Sequence, residues 1–307
     1  MIDCRAVGPA PVLAVALCVD RACLLPALVV LTSIADATDR VQRAAIVVRV
    51  LSSDITPSEA RTVAAVATTL GYGGCAIAAV PVPRLPIVHG RYITRATYLR
   101  FRLGSSVTGS PVMLYLDADV LVLGDLLAFL ELAIGNALGL VRDQFNPSIG
   151  TGPALPGLAK RAPELVGLPY FNAGVCVARP ETFGRAGAGS LAAMRREPGH
   201  IHFNDQDGLN LWAARSAEPV VELPERFNRF ELGRFLEEGD WVRRVVAAPA
   251  STSDPVALHF VGPRKPWLRS CPDVEAVRVY RRELARTQRL VRRVGDMTLD
   301  VSRKGVA

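Results

Sequence analysis

The 307-residue sequence predicts an α/β fold in which a parallel sheet is covered by helices on both faces. Short apolar runs alternate with longer amphipathic stretches through the first half of the chain, which is typical of strands joined by covering helices. These runs lack the apolar and polar alternation of a half-exposed strand, so both faces of each strand should be buried. Half of the residues are hydrophobic and 21% are charged, which excludes the disordered and fibrous classes.

Four strands and three helices are predicted in the first half of the chain. The strands are VLAVALCV from Val12, AAIVVRVL from Ala44, CAIAAV from Cys75 and PVMLYL from Pro111. The run at residues 12–19 is short and is flanked by Asp3 and Asp20, so we interpret it as the first strand and not as a signal peptide. The helices are predicted at residues 24–35, 57–70 and 94–103.

The second half of the chain is less regular. Residues 143–169 are rich in Gly, Pro and Ser and predict a long irregular loop of the kind that often carries specificity. The elements predicted after it are a strand at FNAGVCVA from Phe171, helices after Pro180 and near Asp205, and a strand at VALHF from Val256. Residues 273–293 combine apolar residues at helical spacing with seven arginines, which predicts a basic amphipathic helix.

Charge and cysteine content restrict the class of partner and the compartment. A net charge of +7 and a pI near 9.4 favour anionic partners such as nucleotides, phosphates or an acidic membrane surface. The six cysteines are scattered without a C-x-x-C pair, which argues against structural zinc and a disulfide scaffold. Every apolar run is interrupted well before the roughly 18 residues that a spanning helix needs. We expect a cytoplasmic location, with weak peripheral attachment of the C-terminal arginines to the inner face of the membrane left open.

The segment VMLYLDADVLVLGDL carries the strongest chemical signal. An apolar strand runs into Asp117-Ala118-Asp119, and two carboxylates one residue apart at a strand end can both turn toward a cation. The acids should lie at the carboxyl edge of the sheet, where ligands bind in open α/β folds. A second triplet, Asp205-Gln206-Asp207, occurs later in the chain. The residue types alone also allow either pair of acids to cap a helix.

Five motifs occur in order along the chain: TRATYLRFRL, YLDADVLVLGDL, FNAGV, NDQDGLN and HFVGPRKPW. Together they resemble the retaining glycosyltransferases of family 8, the group that includes glycogenin and bacterial lipooligosaccharide galactosyltransferases, and the resemblance ends at about Cys271. It implies a GT-A nucleotide-diphospho-sugar transferase fold, with three α/β/α layers, a mixed, mainly parallel sheet and a C-terminal helical segment. We therefore expect a catalytic domain at residues 1–270 and a basic amphipathic helical tail at residues 271–307.

The resemblance also implies a divalent cation, Mn²⁺ with Mg²⁺ as the alternative, held by Asp117, Asp119 and His259. A neutral imidazole beside two carboxylates suits manganese. Gly262 and Lys265 would lie along the diphosphate, where glycine permits close backbone approach and lysine supplies a charge for the leaving phosphate. Without the HFVGPRKPW motif, a buried core histidine would be the simpler interpretation of His259.

The donor-binding residues follow from the same resemblance. Asp20, at the end of the first strand, matches a position that contacts uridine, and Cys23 stands where the family often has tyrosine. Arg95 matches a residue near the donor phosphates or sugar, although it also fits a helix-surface arginine. The other positions implied around the donor sugar are Ala118, Asp143, Asn172, Ala173, Asp205 and Gln206.

The expected reaction is transfer of a hexose, glucose or galactose, from its UDP derivative to a hydroxyl of a glycan, lipid-linked or small-molecule acceptor. Asp205, Gln206 and Lys265 are the predicted catalytic residues. Gln206 occupies the place where a double displacement would need a nucleophile, and an amide is a poor one. We therefore expect the acceptor to attack from the same face as the leaving UDP, with retention of configuration. Residues 143–169 and 227–241 are expected to select the acceptor.

Other functions fit the sequence less well. A sugar-phosphate nucleotidyltransferase would carry a glycine-rich loop after its first strand, where this chain reads VDRACLLPAL. A basic nucleic-acid-binding protein leaves the five motifs unexplained, and no nucleic-acid partner is expected. A glycoside hydrolase needs two acids across the scissile bond and no diphosphate-binding metal. A protein that binds a nucleotide sugar without transferring it is the remaining alternative, and the presence of all three metal positions and Lys265 argues against it.

Overall fold

A mixed eight-stranded sheet forms the centre of the structure, a computed structural model that describes residues 2–5, 10–86, 93–105, 109–132, 134–232 and 254–294. The strands are β1 (Ile2–Arg5), β2 (Leu13–Val19), β3 (Ile46–Ser52), β4 (Gly74–Ala79), β5 (Met113–Leu116), β6 (Val120–Val122), β7 (Leu138–Arg142), β8 (Phe171–Ala178), β9 (Val220–Leu223), β10 (Arg229–Glu231) and β11 (Ala257–Phe260). The large sheet has the order β1-β4-β3-β2-β5-β8-β7-β9, and β10-β11-β6 form a small second sheet.

Helices cover both faces of the large sheet. The α-helices are α1 (Leu24–Ala37), α2 (Arg40–Ala44), α3 (Pro57–Leu70), α4 (Leu158–Arg161), α5 (Pro180–Arg196), α6 (Asp205–Arg215) and α7 (Glu275–Val294). Helices α1, α3 and α7 contact one another, and α5 packs against both α6 and a long 3-10 helix at Arg95–Ser105. The predicted α/β class is confirmed, because β2 to β5 are parallel neighbours while β8 pairs antiparallel with both β5 and β7.

Strand β2 shows why the apolar runs lack alternation. All seven of its residues are buried. Leu13 and Val15 belong to the core that includes α1 and α3, whereas Ala14 and Ala16 belong to a second core with Leu99 of the 3-10 helix. Alternate residues therefore face two different helical layers, and both positions must be apolar.

Helix α3 has the bounds that its sequence predicts. Thr56 and Glu59 form a capping box, in which the Glu59 carboxylate accepts a hydrogen bond from Thr56 N at 2.9 Å. Pro57 occupies the first turn, where its missing N–H costs no hydrogen bond. Gly71 ends the helix in the left-handed conformation, with φ at +88°.

The small sheet brings the last predicted motif to the carboxyl edge of the large one. Strand β5 ends at Leu116, the chain turns through the two aspartates, and β6 follows. Strand β11 pairs antiparallel with β6, so that His259 lies opposite Val120, the residue after Asp119. Motifs 140 residues apart in sequence therefore meet at one point of the fold.

Three expectations about secondary structure need correction. The run at residues 12–19 is the second strand, because Ile2–Arg5 forms an antiparallel edge strand beside β4. The helix expected at residues 94–103 is the 3-10 helix Arg95–Ser105. The irregular loop at residues 143–169 contains one short helix, α4, and a 3-10 turn at Pro163–Leu165.

Helix α7 is the predicted basic amphipathic helix of the tail. Val277, Leu284 and Val291 are buried in the core shared with α1 and α3, and most of its arginines are exposed. Its contact with α1 includes a hydrogen bond of 2.7 Å between the Thr32 and Thr287 hydroxyls. The domain boundary at residue 270 and contact with a membrane stay predictions. Within the described ranges, no helix combines the length and apolar character of a membrane-spanning segment.

Candidate active site

A cavity of about 330 Å³ opens at the carboxyl ends of β2 and β5, the edge where open α/β sheets bind ligands. The predicted residues that line it are Asp20, Asp117, Ala118, Asp119, Asp143, Asn172, Ala173, Asp205, Gln206, His259, Gly262 and Lys265. Arg95 does not belong to this set. It is exposed, and its guanidinium donates to the Pro83 carbonyl at 3.4 Å.

Asp117, Asp119 and His259 converge as the motifs predict. One ligand atom from each lies within 4.8 Å of the other two. His259 Nε2 is 3.3 Å from Asp119 Oδ1 and 3.9 Å from Asp117 Oδ2. The His259 side chain is 5% exposed, so the imidazole faces these two carboxylates and not solvent.

Gly174 of the FNAGV motif leaves the space that this cluster needs. A Cβ built on Gly174 would lie 2.2 Å from His259 Cε1 and 2.9 Å from Asp117 Oδ2. Any larger residue would therefore displace one of the two side chains. Two carboxylates and an imidazole are ligands that manganese accepts, so the residues present fit a divalent cation.

The remaining oxygens of the two aspartates are held by cationic and hydroxyl groups. Asp117 Oδ1 accepts hydrogen bonds from Arg100, at 2.7 Å, and from the Tyr115 hydroxyl, while Asp119 Oδ2 accepts from Lys265. Burial raises the pKa of Asp119, but Lys265 and His259 outweigh burial and hold that pKa well below its usual range. Asp119 is therefore ionised, with its Oδ1 on the side of the imidazole.

Arg100 lines the cavity, and no role was assigned to it from the sequence. Its buried guanidinium bridges Asp117 Oδ1, at 2.7 Å, and Asp205 Oδ2, at 2.8 Å. It also donates to the Ala173 carbonyl and lies over the Tyr115 ring at 4.5 Å. Burial lowers the pKa of Arg100, but the two carboxylates outweigh burial and raise it well above its usual value. Arg100 thus ties the cation cluster to the NDQDGLN motif.

Gln206 lies at the centre of a hydrogen-bond network on the other side of the cavity. Its Oε1 accepts from Asn172 Nδ2 at 2.8 Å and from Ala173 N at 3.2 Å. Its Nε2 donates to Asp143 Oδ2 at 3.0 Å and to the Tyr170 hydroxyl at 3.3 Å. Every hydrogen-bonding position of this amide has a protein partner, which fixes the orientation of the side chain.

The two acids that flank Gln206 differ in their surroundings. Asp205 accepts hydrogen bonds from Arg100 and Thr97, and neither bond caps helix α6. Burial raises the pKa of Asp205, and Arg100 opposes the rise. Asp207 faces away from the cavity and accepts from the Tyr170 hydroxyl at 2.6 Å and from two backbone N–H groups. The second D-x-D triplet is therefore split between the cavity and the interior.

Asp20 and Gly262 lie at the end of the cavity where the nucleotide was expected. Asp20 Oδ1 accepts from Cys23 N at 3.1 Å, so it caps a 3-10 turn as well as lining the cavity. Burial raises the pKa of the Cys23 thiol, which keeps that thiol neutral. Gly262 has a φ of +84°, a left-handed conformation that favours glycine.

The segments expected to select the acceptor contribute two aromatic rings. Phe145 and Phe230 both line the cavity, with ring centroids 5.2 Å apart. Phe230 also lies edge-on to the His259 ring, with centroids 5.7 Å apart. Residues 233–241 of the second segment lie outside the described residues.

Comparison with known proteins supports the fold and the family. Residues 14–271 match the protein-family model described as Glycosyl transferase family 8. The glycosyltransferase GlyE of Streptococcus pneumoniae serotype 4 is 25% identical over 179 residues, which are 57% of this chain and 38% of the relative. The lipopolysaccharide glucosyltransferase WaaO of Escherichia coli K12 is 27% identical over 184 residues, which are 57% of this chain and 49% of the relative. In each case the matched segment spans less than half of the relative's length.

Solved structures resemble the fold over most of its length. The galactosyltransferase LgtC, in complex with donor and acceptor sugar analogues, matches with a TM-score of 0.69 at 23% identity, over 89% of this chain and 95% of that one. Mouse xyloside xylosyltransferase 1 matches with a TM-score of 0.56 at 16% identity, over 82% of this chain and 98% of that one. At these identities the likeness shows the fold alone.

Proposed function

Because the chain belongs to glycosyl transferase family 8, we propose that it transfers a hexose, glucose or galactose, from a UDP-sugar to an acceptor hydroxyl with retention of configuration. The observation that carries the proposal is the convergence of Asp117, Asp119 and His259 in the cavity that Gln206 also lines. One end of this cavity suits a charged diphosphate, and the other presents a fixed polar network to the sugar.

Asp117, Asp119 and His259 would hold a divalent cation, Mn²⁺ in this proposal. When bound, that cation would offset charge on the diphosphate and make UDP a better leaving group. Lys265 places a second positive charge beside Asp119, and its ammonium would stabilise the phosphate oxygen from which the sugar departs. Gly262 would let the backbone approach the same phosphates closely.

The surroundings of Gln206 support attack from the face that UDP leaves. A double displacement needs a carboxylate free to attack the anomeric carbon, whereas Asp205 is paired with Arg100 and bonded to Thr97. The acceptor hydroxyl would instead lose its proton to the departing phosphate oxygen. Asp143 and the Gln206 amide would stabilise the positive charge that develops on the sugar ring.

The acceptor is proposed to enter along residues 143–169 and 227–232. Both segments reach the cavity, and each supplies one aromatic ring, Phe145 or Phe230. Such rings offer an apolar surface to a sugar ring or another apolar group of the acceptor. We propose a glycan, a lipid-linked glycan or a small molecule that presents a hydroxyl group.

Release of UDP from a panel of UDP-sugars tests the proposal. We expect UDP-glucose or UDP-galactose to yield UDP with Mn²⁺, EDTA to stop the release, and added Mn²⁺ to restore it. Proton NMR of the glycoside formed on a screened acceptor should show the donor's anomeric configuration. A protein that binds UDP but releases none from any donor would contradict transfer. A glycosyl adduct on Asp205 or on another cavity side chain would contradict same-face attack.

A further inference from the structure

Asn228 contacts His259 of the predicted cation cluster on the side that faces away from the two aspartates. The proposed mechanism gives Asn228 no role. Its side chain is fully buried, at 0% exposure. Its Oδ1 lies 3.0 Å from His259 Nδ1, the ring nitrogen on the far side from the two aspartates. The orientation of the Asn228 amide decides whether His259 Nδ1 donates or accepts this hydrogen bond.

The backbone of strand β8 fixes the orientation of the Asn228 amide. Gly174 N lies 2.8 Å from one terminal atom of Asn172, and a backbone N–H can only donate, so that atom is the oxygen Oδ1. Asn228 lies 2.8 Å from the same oxygen, and it must approach with its Nδ2 group as donor. The other terminal atom of Asn228 is therefore the acceptor that faces His259.

A second set of contacts fixes the same orientation. Asn172 Nδ2 donates to Gln206 Oε1 at 2.8 Å, and that oxygen also accepts from Ala173 N at 3.2 Å. Reversing the Asn172 amide would break its bonds to Gln206, Asn228 and Gly174 together. Two backbone N–H groups thus determine the direction of every hydrogen bond from Gln206 to His259.

We propose that Asn228 is a positioning residue that sets the tautomer of His259. Its Oδ1 accepts the hydrogen bond from Nδ1–H, so a neutral ring carries its proton on Nδ1 and its lone pair on Nε2. Nε2 is the atom that faces Asp119 and Asp117, and a lone pair there is what a cation ligand requires. This inference deepens the proposed function and rests on it for the identity of the cation.

The other tautomer would gain a hydrogen bond from Nε2–H to Asp119 Oδ1, which is 3.3 Å away, but it would lose the shorter one to Asn228. A ring without the Nδ1 proton would place its lone pair 3.0 Å from the oxygen of Asn228. The backbone of Asn228 is held in place, because Gln144 Nε2 donates to its carbonyl at 3.0 Å. The edge-on ring of Phe230, paired with His259 between β10 and β11, restricts rotation of the imidazole.

Two substitutions separate orientation of the ring from general stability. Asn228→Asp keeps an oxygen opposite Nδ1–H but cannot donate to Asn172. Asn228→Leu has a similar volume and offers no acceptor. Asn210→Leu is the matched control, since Asn210 is also buried and bonds only backbone groups of Phe171 and Gln206, without touching His259.

Long-range proton–nitrogen NMR of the metal-free protein, at a pH where the ring is neutral, reads the tautomer directly. The signal of His259 is assigned by its loss in His259→Gln. We expect the proton on Nδ1 in the parent, in Asn228→Asp and in Asn210→Leu, and a mixture of tautomers in Asn228→Leu. A parent spectrum with the proton on Nε2 overturns the proposal, even if Asn228→Leu does not fold.

Titration with Mn²⁺ alone, followed by electron paramagnetic resonance, measures the consequence. We expect Asn228→Leu to bind Mn²⁺ about 10- to 100-fold more weakly than the parent, and the other two variants to stay within about threefold. A folded Asn228→Leu protein with parental affinity would overturn the proposal. Failure of the parent to bind Mn²⁺ would count against the proposed function, whereas the metal-free spectrum tests Asn228 independently.

Discussion

The cavity has a proposed cation end, formed by Asp117, Asp119 and His259, and a proposed sugar end, formed by Asn172 and Gln206, and the two are built differently. Asp117 and Asp119 each have one oxygen bound to a protein cation and another beside His259, so a further positive charge would complete their surroundings. At the sugar end, every polar atom of the Gln206 amide already has a protein partner. The cation end is therefore suited to bind a positive charge, whereas the sugar end presents polar groups whose positions are already fixed.

The largest effect should follow from removing a carboxylate at the cation end. We expect Asp119→Ala to lower Mn²⁺ affinity strongly and to lower UDP release by at least about 1000-fold. A bound cation supplies several kcal/mol to such reactions, and each 1.4 kcal/mol or so is tenfold in rate. The measurement is UDP release at saturating Mn²⁺, beside a Mn²⁺ titration.

Asp125→Ala is the matched control for Asp119→Ala. Asp125 caps the 3-10 turn Leu126–Phe129 through the Leu127 N–H and does not line the cavity. Its loss should cost about 1 kcal/mol of stability and leave the rate per folded molecule unchanged. If Asp119→Ala kept parental Mn²⁺ affinity, the two ends of the cavity would not differ as described.

A smaller loss of Mn²⁺ affinity should follow from filling the space beside Asp117 and His259. In Gly174→Ala, the new methyl group would overlap the His259 ring, so we expect the imidazole to move and Mn²⁺ affinity to fall about 10- to 100-fold. Gly199→Ala is the control, because a Cβ there meets nothing within 4 Å. Equal Mn²⁺ affinities for these two variants would show that the glycine does not serve the cluster.

The cation end could be predicted from sequence because its residues lie in specific motifs at strand ends. The sequence did not show which arginine of the TRATYLRFRL motif lies in the cavity. Arg95 and Arg100 lie five residues apart in one motif, and five residues rotate a helix by about 140° in the α form or about 240° in the 3-10 form. The two side chains therefore face different directions, and only the packing of Leu99 and Leu103 on the sheet decides that Arg100 faces inward.

The role of Asn228 was also beyond sequence reasoning. The segment ERFNR has no apolar periodicity or spacing that relates it to His259, and their contact depends on the parallel pairing of β10 with β11. Gly174 is similar, since a glycine in FNAGV gives no sign of which side chain lies beside it until β8 is placed against β5. The fold class was predictable because burial on both faces of a strand is visible in the sequence itself.

A substitution at the sugar end should lower the reaction rate and leave cation binding unchanged. We expect Gln206→Ala to lower kcat for UDP release with an acceptor about 10- to 100-fold, because it removes a fixed dipole whose loss costs about 1–3 kcal/mol. Mn²⁺ affinity should stay within about threefold, since Gln206 reaches His259 only through Asn172 and Asn228. Gln288→Ala, on helix α7, is the matched control and should change neither quantity. If Gln206→Ala instead lost as much Mn²⁺ affinity as Asp119→Ala, the two ends of the cavity would act as one unit. The amides of Asn172 and Asn228 would then depend on Gln206 to hold His259 in place.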